Sequence, residues 1–361
     1  LDAFMSVTAW VDGRLPSGVV HLDVAACGRV SQAVLDAEVA HLRLEAEVGG
    51  YVAQEQADPA VAAGRQALGA MVGLAGGDVV FTESAGAVFA ALLDAWPLGH
   101  GARIGTTPSE YGGNARVLRD RADRRGWQLV ELDVDALGRV RGVPPGLDLV
   151  TLGQVPSQRG VAQPVGDVLS TGVPLLLDVA QSLGQTDVPP GAAAYVGTSR
   201  KWLCGPRGVG FAAVDPAWQD LLSDPPTQGA GHFRDLRRFD SPEAHVAGRV
   251  GLALAARTWS PAVLPVLQAA AAAARVLLEG AGGWRVVEPV HEPTGITTLA
   301  HPTADPVATR AALLGEGLLV SAVDTDRAAD LTAPVLRVST AAWSTPGDLE
   351  ALAAALERCT R

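Results

Sequence analysis

A single lysine, Lys201, stands among 27 arginines. The chain is rich in alanine, glycine, valine and arginine, and arginine holds almost every other cationic position. A lone lysine raises the question of what arginine cannot do there. An amine can lose its proton and attack a carbonyl, whereas a guanidinium stays charged. Most lysines are solvated surface charges, so the count alone fits drift equally well. The local sequence is more informative. Lys201 lies in Gly197-Thr198-Ser199-Arg200-Lys201-Trp202-Leu203-Cys204-Gly205-Pro206-Arg207-Gly208. This run follows one apolar strand, and its glycines and proline lead straight into the next, so the loop has little slack. Twenty-three residues upstream, Asp178 closes the apolar run Leu175-Leu176-Leu177. A carboxylate there is costly unless paired, so it either caps the next helix or holds a cationic ligand group. Phe81-Thr82-Glu83-Ser84-Ala85-Gly86 reads as strand, polar turn and helix start. Backbone N–H groups and the helix dipole at such a turn favour an anion.

These features, in this order, meet the needs of pyridoxal 5'-phosphate (PLP). That cofactor takes a lysine to condense with its aldehyde, an acid for its pyridinium nitrogen and a cradle for its phosphate. Taken singly, each feature reads as an ordinary loop residue, cap or surface charge; the joint order carries the signal.

The chain resembles the class V aminotransferase family of fold-type I PLP enzymes, which includes cysteine desulfurases and kynureninases. The likeness runs in order over most of the sequence. His21-Leu22-Asp23-Val24-Ala25-Ala26 resembles the opening YLDNAA of that family. The turn at 81–86 matches its phosphate turn, which implies that Ser84, Ala85 and Gly86 bind the cofactor. Ser109-Glu110-Tyr111 matches the segment whose ring stacks on the pyridine, which implies Tyr111 as the stacker. Ser157-Gln158-Arg159-Gly160-Val161-Ala162-Gln163-Pro164 resembles NETGxxxP. Asp178-Val179-Ala180-Gln181 matches DxxQ, with Asp178 on the ring nitrogen and Gln181 near the ring hydroxyl. Thr198-Ser199-Arg200-Lys201 resembles SxHK, which implies Thr198 and Arg200 as cofactor contacts and Lys201 as the covalent lysine. Leu336-Arg337-Val338-Ser339 matches RxS, whose arginine, here Arg337, binds the substrate α-carboxylate with a bidentate fork.

Three positions depart from that pattern. Ser157 replaces the usual asparagine, which weakens or removes a contact with the ring hydroxyl. Arg200 replaces the histidine before the lysine; it still reaches for a phosphate but cannot serve as a neutral base. The GT element that reaches a neighbour's phosphate should fall near Arg238-Phe239-Asp240-Ser241-Pro242-Glu243, and it is absent there.

The resemblance implies chemistry at Cα. PLP acidifies the Cα–H of a bound amino acid, and Lys201 is the natural base for that proton. Cysteine desulfurases carry a cysteine on the loop before RxS, but residues 318–334 contain none. Cys27, Cys204 and Cys359 lie in other segments. β-Elimination, transamination or epimerisation remain. The Trp10 region and the segments DVAACGRVS, TSRKWLCGPRGVGF and LRVSTAAWS most resemble the actinobacterial C–S lyases of ergothioneine biosynthesis. That likeness implies β-elimination from a cysteine S-conjugate sulfoxide, with pyruvate and ammonia as products of the amino-acid half. A class V aminotransferase, a lyase for another cysteine conjugate and a non-enzymatic binding module stay open. Intact Lys201, Asp178 and Arg337 argue against the last.

The elements that position these residues read as α/β with a mostly parallel sheet. Apolar runs with little alternation at 78–81, 103–106, 129–132, 147–152, 174–179, 194–197 and 208–214 predict strands covered on both faces. Helices are expected at 84–96 and 114–125. Ligands in such sheets sit at the carboxyl ends of strands, where Asp178 and Lys201 fall. After about 255 the texture shifts to a smaller α+β domain, with further elements at 284–287, 295–300, 305–314 and 335–339. A closing helix is announced by Thr345-Pro346-Gly347-Asp348. The expected division is an N-terminal segment at 1–18 packing with the small domain, a large PLP domain at 19–255 and the small domain at 256–361.

Composition sets the frame. The chain has 361 residues, 48% of them apolar, and length predicts about two domains. The net charge of −11 argues against a nucleic-acid partner. Three cysteines without CxxC make neither a disulfide scaffold nor a zinc site, and no metal is expected. The apolar stretch 260–279 is interrupted by Pro261, Pro265, Gln268 and Arg275, so a soluble-protein helix is expected there rather than a membrane span. No secretory leader is recognisable, which predicts a cytoplasmic setting. The family resemblance implies a homodimer acting on a small amino-acid substrate.

Overall fold

The computed structural model describes residues 6–225, 233–241 and 243–359. The N-terminal part comprises α1 (Val7–Asp12), β1 (Val20–His21), α2 (Gln32–Val48) and α3 (Gly50–Val72). The centre comprises β2 (Val79–Thr82), α4 (Ala85–Ala95), β3 (Arg103–Thr106), α5 (Gly112–Arg125), β4 (Gln128–Glu131), β5 (Leu149–Gly153), α6 (Val165–Ser170), β6 (Leu175–Asp178), β7 (Ala194–Thr198), β8 (Gly210–Val214) and α7 (Pro216–Gln219). Two helices follow, α8 (Val246–Thr258) and α9 (Val263–Leu278). The C-terminal part comprises β9 (Arg285–Val286), β10 (Ile296–Ala300), α10 (Pro306–Gly315), β11 (Leu318–Leu319), β12 (Ser321–Val323), β13 (Val335–Ser339) and α11 (Pro346–Cys359).

The central sheet has seven strands in the order β2-β8-β7-β6-β5-β3-β4. All neighbours run parallel except β8, which is antiparallel to both β2 and β7. Alternate residues enter different cores. Phe81, Leu175, Leu177, Tyr195 and Phe211 face one apolar cluster, while Val80, Leu176, Ala194, Val196 and Ala212 face the other. That double burial explains why the strands read as unbroken apolar runs. The fold is therefore the α/β, mostly parallel architecture that the sequence predicts. Direction was not encoded in the run at 208–214, whose composition is the same whichever way it points.

The smaller sheet has the order β12-β13-β10-β9 and is antiparallel throughout. Its core holds Trp284, Leu299, Leu336 and Leu352, all fully buried. The expected start of α11 is present as a capping box. The Thr345 hydroxyl accepts from Asp348 N (3.2 Å), and the Asp348 carboxylate accepts from Thr345 N (2.8 Å).

The chain just after residue 19 pairs with C-terminal strands rather than with the central sheet. β1 pairs in parallel with β11, Val20 opposite Leu318 and His21 opposite Leu319, and Asp23 bridges to Ser339. Residues 20–23 thus belong with the C-terminal strands, because their backbone groups find hydrogen-bond partners there. Trp10 stacks on Trp343 with ring centroids 5.5 Å apart, and the Arg14 guanidinium lies over both rings. The GT expectation covers 238–243, of which Pro242 lies outside the described residues. No single helix among the described residues is long and apolar enough to cross a membrane.

Candidate active site

The carboxyl ends of β2, β5, β6 and β7 open on one cavity of about 500 Å³, closed on the far side by β12 and β13. Every site residue expected from the sequence lines it: Ser84, Ala85, Gly86, Tyr111, Asp178, Gln181, Thr198, Arg200, Lys201 and Arg337.

The loop bearing Lys201 is stitched at four points. Ser199 N donates to Val209 O (3.0 Å), Gly205 N to Ser199 O (3.0 Å), Cys204 N to Lys201 O (2.9 Å) and Gly28 N to Arg200 O (2.7 Å). Cys204 takes a left-handed conformation (φ 55°), unusual for a residue with a side chain. A Cβ on Gly28 would lie 2.4 Å from Lys201 O, so only glycine lets the N-terminal strap reach this loop. The amine is thereby held at a fixed place in the cavity. Burial pushes Lys201 down to about 7, and the charges of Arg200, Arg337 and Arg327 push the same way against the pull of Asp178. A neutral amine is therefore present near neutral pH. In the cofactor-free protein, acylation of Lys201 by an amine-selective reagent should rise with pH through a midpoint near 7, read by peptide mapping. A midpoint near the ordinary lysine value of about 10.4 would contradict this.

Asp178 ends β6 with both oxygens engaged. Oδ2 accepts from Asn114 Nδ2 (2.8 Å) and Oδ1 from Ala180 N (2.8 Å). Asn114 Nδ2 also donates to Glu110 Oε1 (3.1 Å), so one amide ties two carboxyl groups together. Burial, then the Asp178 charge, raises Glu110 to about 7. Sequence reasoning quoted Glu110 only as a motif neighbour of Tyr111 and missed Asn114. The i,i+4 spacing of Glu110 and Asn114 at the start of α5 was the available signal.

Ser84 caps α4, its hydroxyl accepting from Ala87 N (3.1 Å). The first-turn N–H groups of Ala85 and Gly86 have no partner within the helix. A Cβ on Gly86 would meet nothing within 4 Å, and a Cβ on Gly210 would strike Ser84 and Ala85 backbone at 2.4–2.5 Å. The glycine in β8 thus lets the helix end sit against the sheet, and the glycine in α4 keeps the cradle open. Arg200 lines the same cavity and has no carboxylate partner among the described residues.

Arg337 comes from β13 and is 4% exposed. Nη1 donates to Ser157 O (2.8 Å), and Nη2 lies 3.2 Å from Ser321 Oγ and 3.4 Å from Asp23 Oδ1. Its Nε is buried without a partner, as are Ser157 Oγ and Glu110 Oε2. Such orphaned groups around a cavity point to a polar ligand. Gln181 lines the cavity too, but its amide is already used, Nε2 on Ala25 O (3.0 Å) and Oε1 on the Trp202 indole (3.0 Å). Its first job is to tie the N-terminal strap to the lysine loop. Tyr111 is 42% exposed, with the Arg327 guanidinium 5.6 Å from its ring centroid. Asp23, Ser321 and Arg327 were not among the expected site residues. They come from segments that reach the cavity only through long-range pairing.

The residues fit PLP by chemistry. An anion cradle, an open aromatic face, a half-buried, hydrogen-bonded carboxylate and a depressed amine surround one space of suitable size. All three cysteines lie outside the cavity lining.

No protein-family model matches the chain. Among curated proteins it is 40% identical to a probable hercynylcysteine sulfoxide lyase of Mycobacterium tuberculosis (strain CDC 1551 / Oshkosh), covering 97% of this chain and 93% of that one. Solved structures with the same fold include a complex between the cystine C–S lyase C-DES and its product cysteine persulfide. It is 16% identical, covers 94% of this chain and 98% of that one, and has a TM-score of 0.86. The cysteine desulfurase CsdA (S-sulfonic acid) from Escherichia coli is 18% identical over 99% of both chains, with a TM-score of 0.87.

Proposed function

The chain belongs to the family of that mycobacterial lyase, within the class V, fold-type I PLP-dependent enzymes, and from this membership we propose that it cleaves hercynylcysteine sulfoxide by β-elimination. The products are the sulfenate of the betaine imidazole, together with pyruvate and ammonia; an external thiol, oxidised to its disulfide with release of water, would reduce the sulfenate to ergothioneine. The observation that carries the reading is the convergence of Lys201, Asp178 and Arg337 on one cavity, in a chain 40% identical to its relative over nearly full length.

When bound, PLP supplies an electron sink for the pair left at Cα when its proton departs. The protein's groups do the rest. Ser84, Ala85, Gly86, Thr198 and Arg200 hold the phosphate end. Asp178 would pair with the pyridinium nitrogen, and Tyr111 would offer its ring face to the cofactor. The Arg337 guanidinium would grip the α-carboxylate, its orphaned Nε and the second hydrogens of its already bonded Nη groups supplying the donors. Lys201 would hold the cofactor aldehyde and, freed by the substrate amine, would take the Cα proton. Cleavage of the Cβ–S bond would leave its electron pair on sulfur, and hydrolysis of the remaining three-carbon fragment would give pyruvate and ammonia. No cysteine is needed to receive sulfur, because a sulfoxide leaves as a stabilised sulfenate.

The experiment is direct. Purified holoenzyme incubated with a panel of cysteine S-conjugate sulfoxides should release pyruvate without any added keto acid. Each sulfoxide should turn over faster than its thioether. Activity only with an added keto acid, with sulfur still attached to the product, would make the protein an aminotransferase instead.

A further inference from the structure

The cavity carries more positive charge than the reaction centre uses. Its lining includes five cations (Arg200, Lys201, Arg207, Arg327 and Arg337) against three acids (Glu83, Glu110 and Asp178). The proposed function engages Arg200 with the phosphate, Lys201 with the cofactor aldehyde, Asp178 with the pyridinium and Arg337 with the α-carboxylate. Arg207 and Arg327 are left over; Arg207 is exposed at the rim, whereas Arg327 stands further in. It is half-buried and forms no ion pair with a carboxylate among the described residues, and its guanidinium lies 5.6 Å from the Tyr111 ring centroid.

Its position is built. Arg327 ends a 3-10 turn (Thr325–Arg327) that Asp324 caps through Thr325 N (2.7 Å). That turn is pressed onto the start of α5. A Cβ on Gly112 would lie 2.5 Å from Asp326 O and 3.1 Å from Arg327 O, so glycine is what permits the contact. Arg327 also lies close enough to Lys201 and Arg337 for its charge to depress both. Holding a second guanidinium beside Arg337 costs repulsion unless a second anion arrives.

We infer that Arg327 is a specificity residue, receiving a carboxylate at the far end of the substrate while Arg337 holds the α-carboxylate. The substrate class is an amino acid whose side chain carries a second anionic group. The inference rests on the proposed function, since hercynine, a betaine of histidine, brings such a carboxylate alongside its trimethylammonium.

Calorimetry on the holoenzyme tests it without turnover. Two thioether probes are compared, the cysteine conjugate of hercynine and the matched conjugate of N,N,N-trimethylhistamine, which lacks the distal carboxylate. Arg327→Gln should weaken the hercynine conjugate by about 10-fold or more and the trimethylhistamine conjugate by less than about 2-fold. Arg327→Lys should recover part of the loss, and PLP affinity should stay unchanged in both variants. Arg337→Lys, by contrast, should weaken both conjugates alike. Equal weakening of the two probes by Arg327→Gln, no weakening of either, or reduced PLP affinity would each overturn the assignment. Absence of pyruvate from every sulfoxide would sink the lyase reading while leaving the two-probe comparison to decide Arg327.

Discussion

Replacing Lys201 with alanine is expected to cut pyruvate release by about 10²–10⁴-fold, the range associated with loss of a positioned general base. The fold should survive. The Lys201 side chain points at a ligand cavity, and the loop is held by backbone hydrogen bonds that alanine keeps. Circular dichroism and the Tm of the cofactor-free protein should match those of the parent. A second readout identifies the residue itself. Borohydride treatment of the parent holoenzyme should fix the cofactor irreversibly to the peptide containing Lys201, and the variant should retain none after denaturation. An unmodified Lys201 peptide from the parent, or near-parental activity in the variant, would remove Lys201 from the reaction.

Asp178→Asn should lower kcat by about 10²–10⁴-fold, since removing one partner of an ion pair shielded from water costs roughly 3–5 kcal/mol. The local geometry makes asparagine a poor mimic. Both Asp178 oxygens accept N–H donors, from Asn114 and Ala180. An amide NH2 at either position would face a donor, so one of those bonds is lost along with the charge. Some PLP should still bind through the phosphate cradle. The effect should appear in the rate of Cα proton exchange with solvent deuterium, measured by NMR on a slow substrate. Proton exchange at the parental rate would show that Asp178 does not act on the proton-removal step.

Much of the large domain was legible because its strands are buried on both faces. The runs at 103–106 and 335–339 match the observed strands to the residue, and the others shift by at most two positions at their ends. The site was legible where its chemistry is local. Lys201, Asp178 and the turn at 84–86 each sit at a strand end that the pattern marks. Elsewhere the sequence is silent for physical reasons. The strand–helix rhythm begins near residue 65, so α2 and the first half of α3 carried no expectation, although Ser31 caps α2 through Val34 N (3.2 Å). The family resemblance implied Gln181 as a cofactor contact, yet its amide first satisfies Ala25 and Trp202. That use depends on residues 156 positions upstream and 21 downstream, which no local pattern reports. Asp23, Asn114 and Arg327 enter the site in the same way, through partners distant in sequence.

The bridge between Asp23 and Arg337 spans 314 residues, and the bond from Ala25 N to Ser339 Oγ spans the same number. Biogenesis therefore has a built-in delay. On a ribosome adding about 5–20 residues per second, Arg337 follows Lys201 by about 7–27 s. The half of the site that receives the cofactor is fully translated well before the half that grips the substrate. Over that interval the N-terminal strap has no β11 or β13 to pair with, and the carboxyl ends of β5 to β7 remain uncovered. Pairing of the strap with β11 and β13 closes a loop of some three hundred residues, and such long-range contacts carry the entropy cost that slows folding.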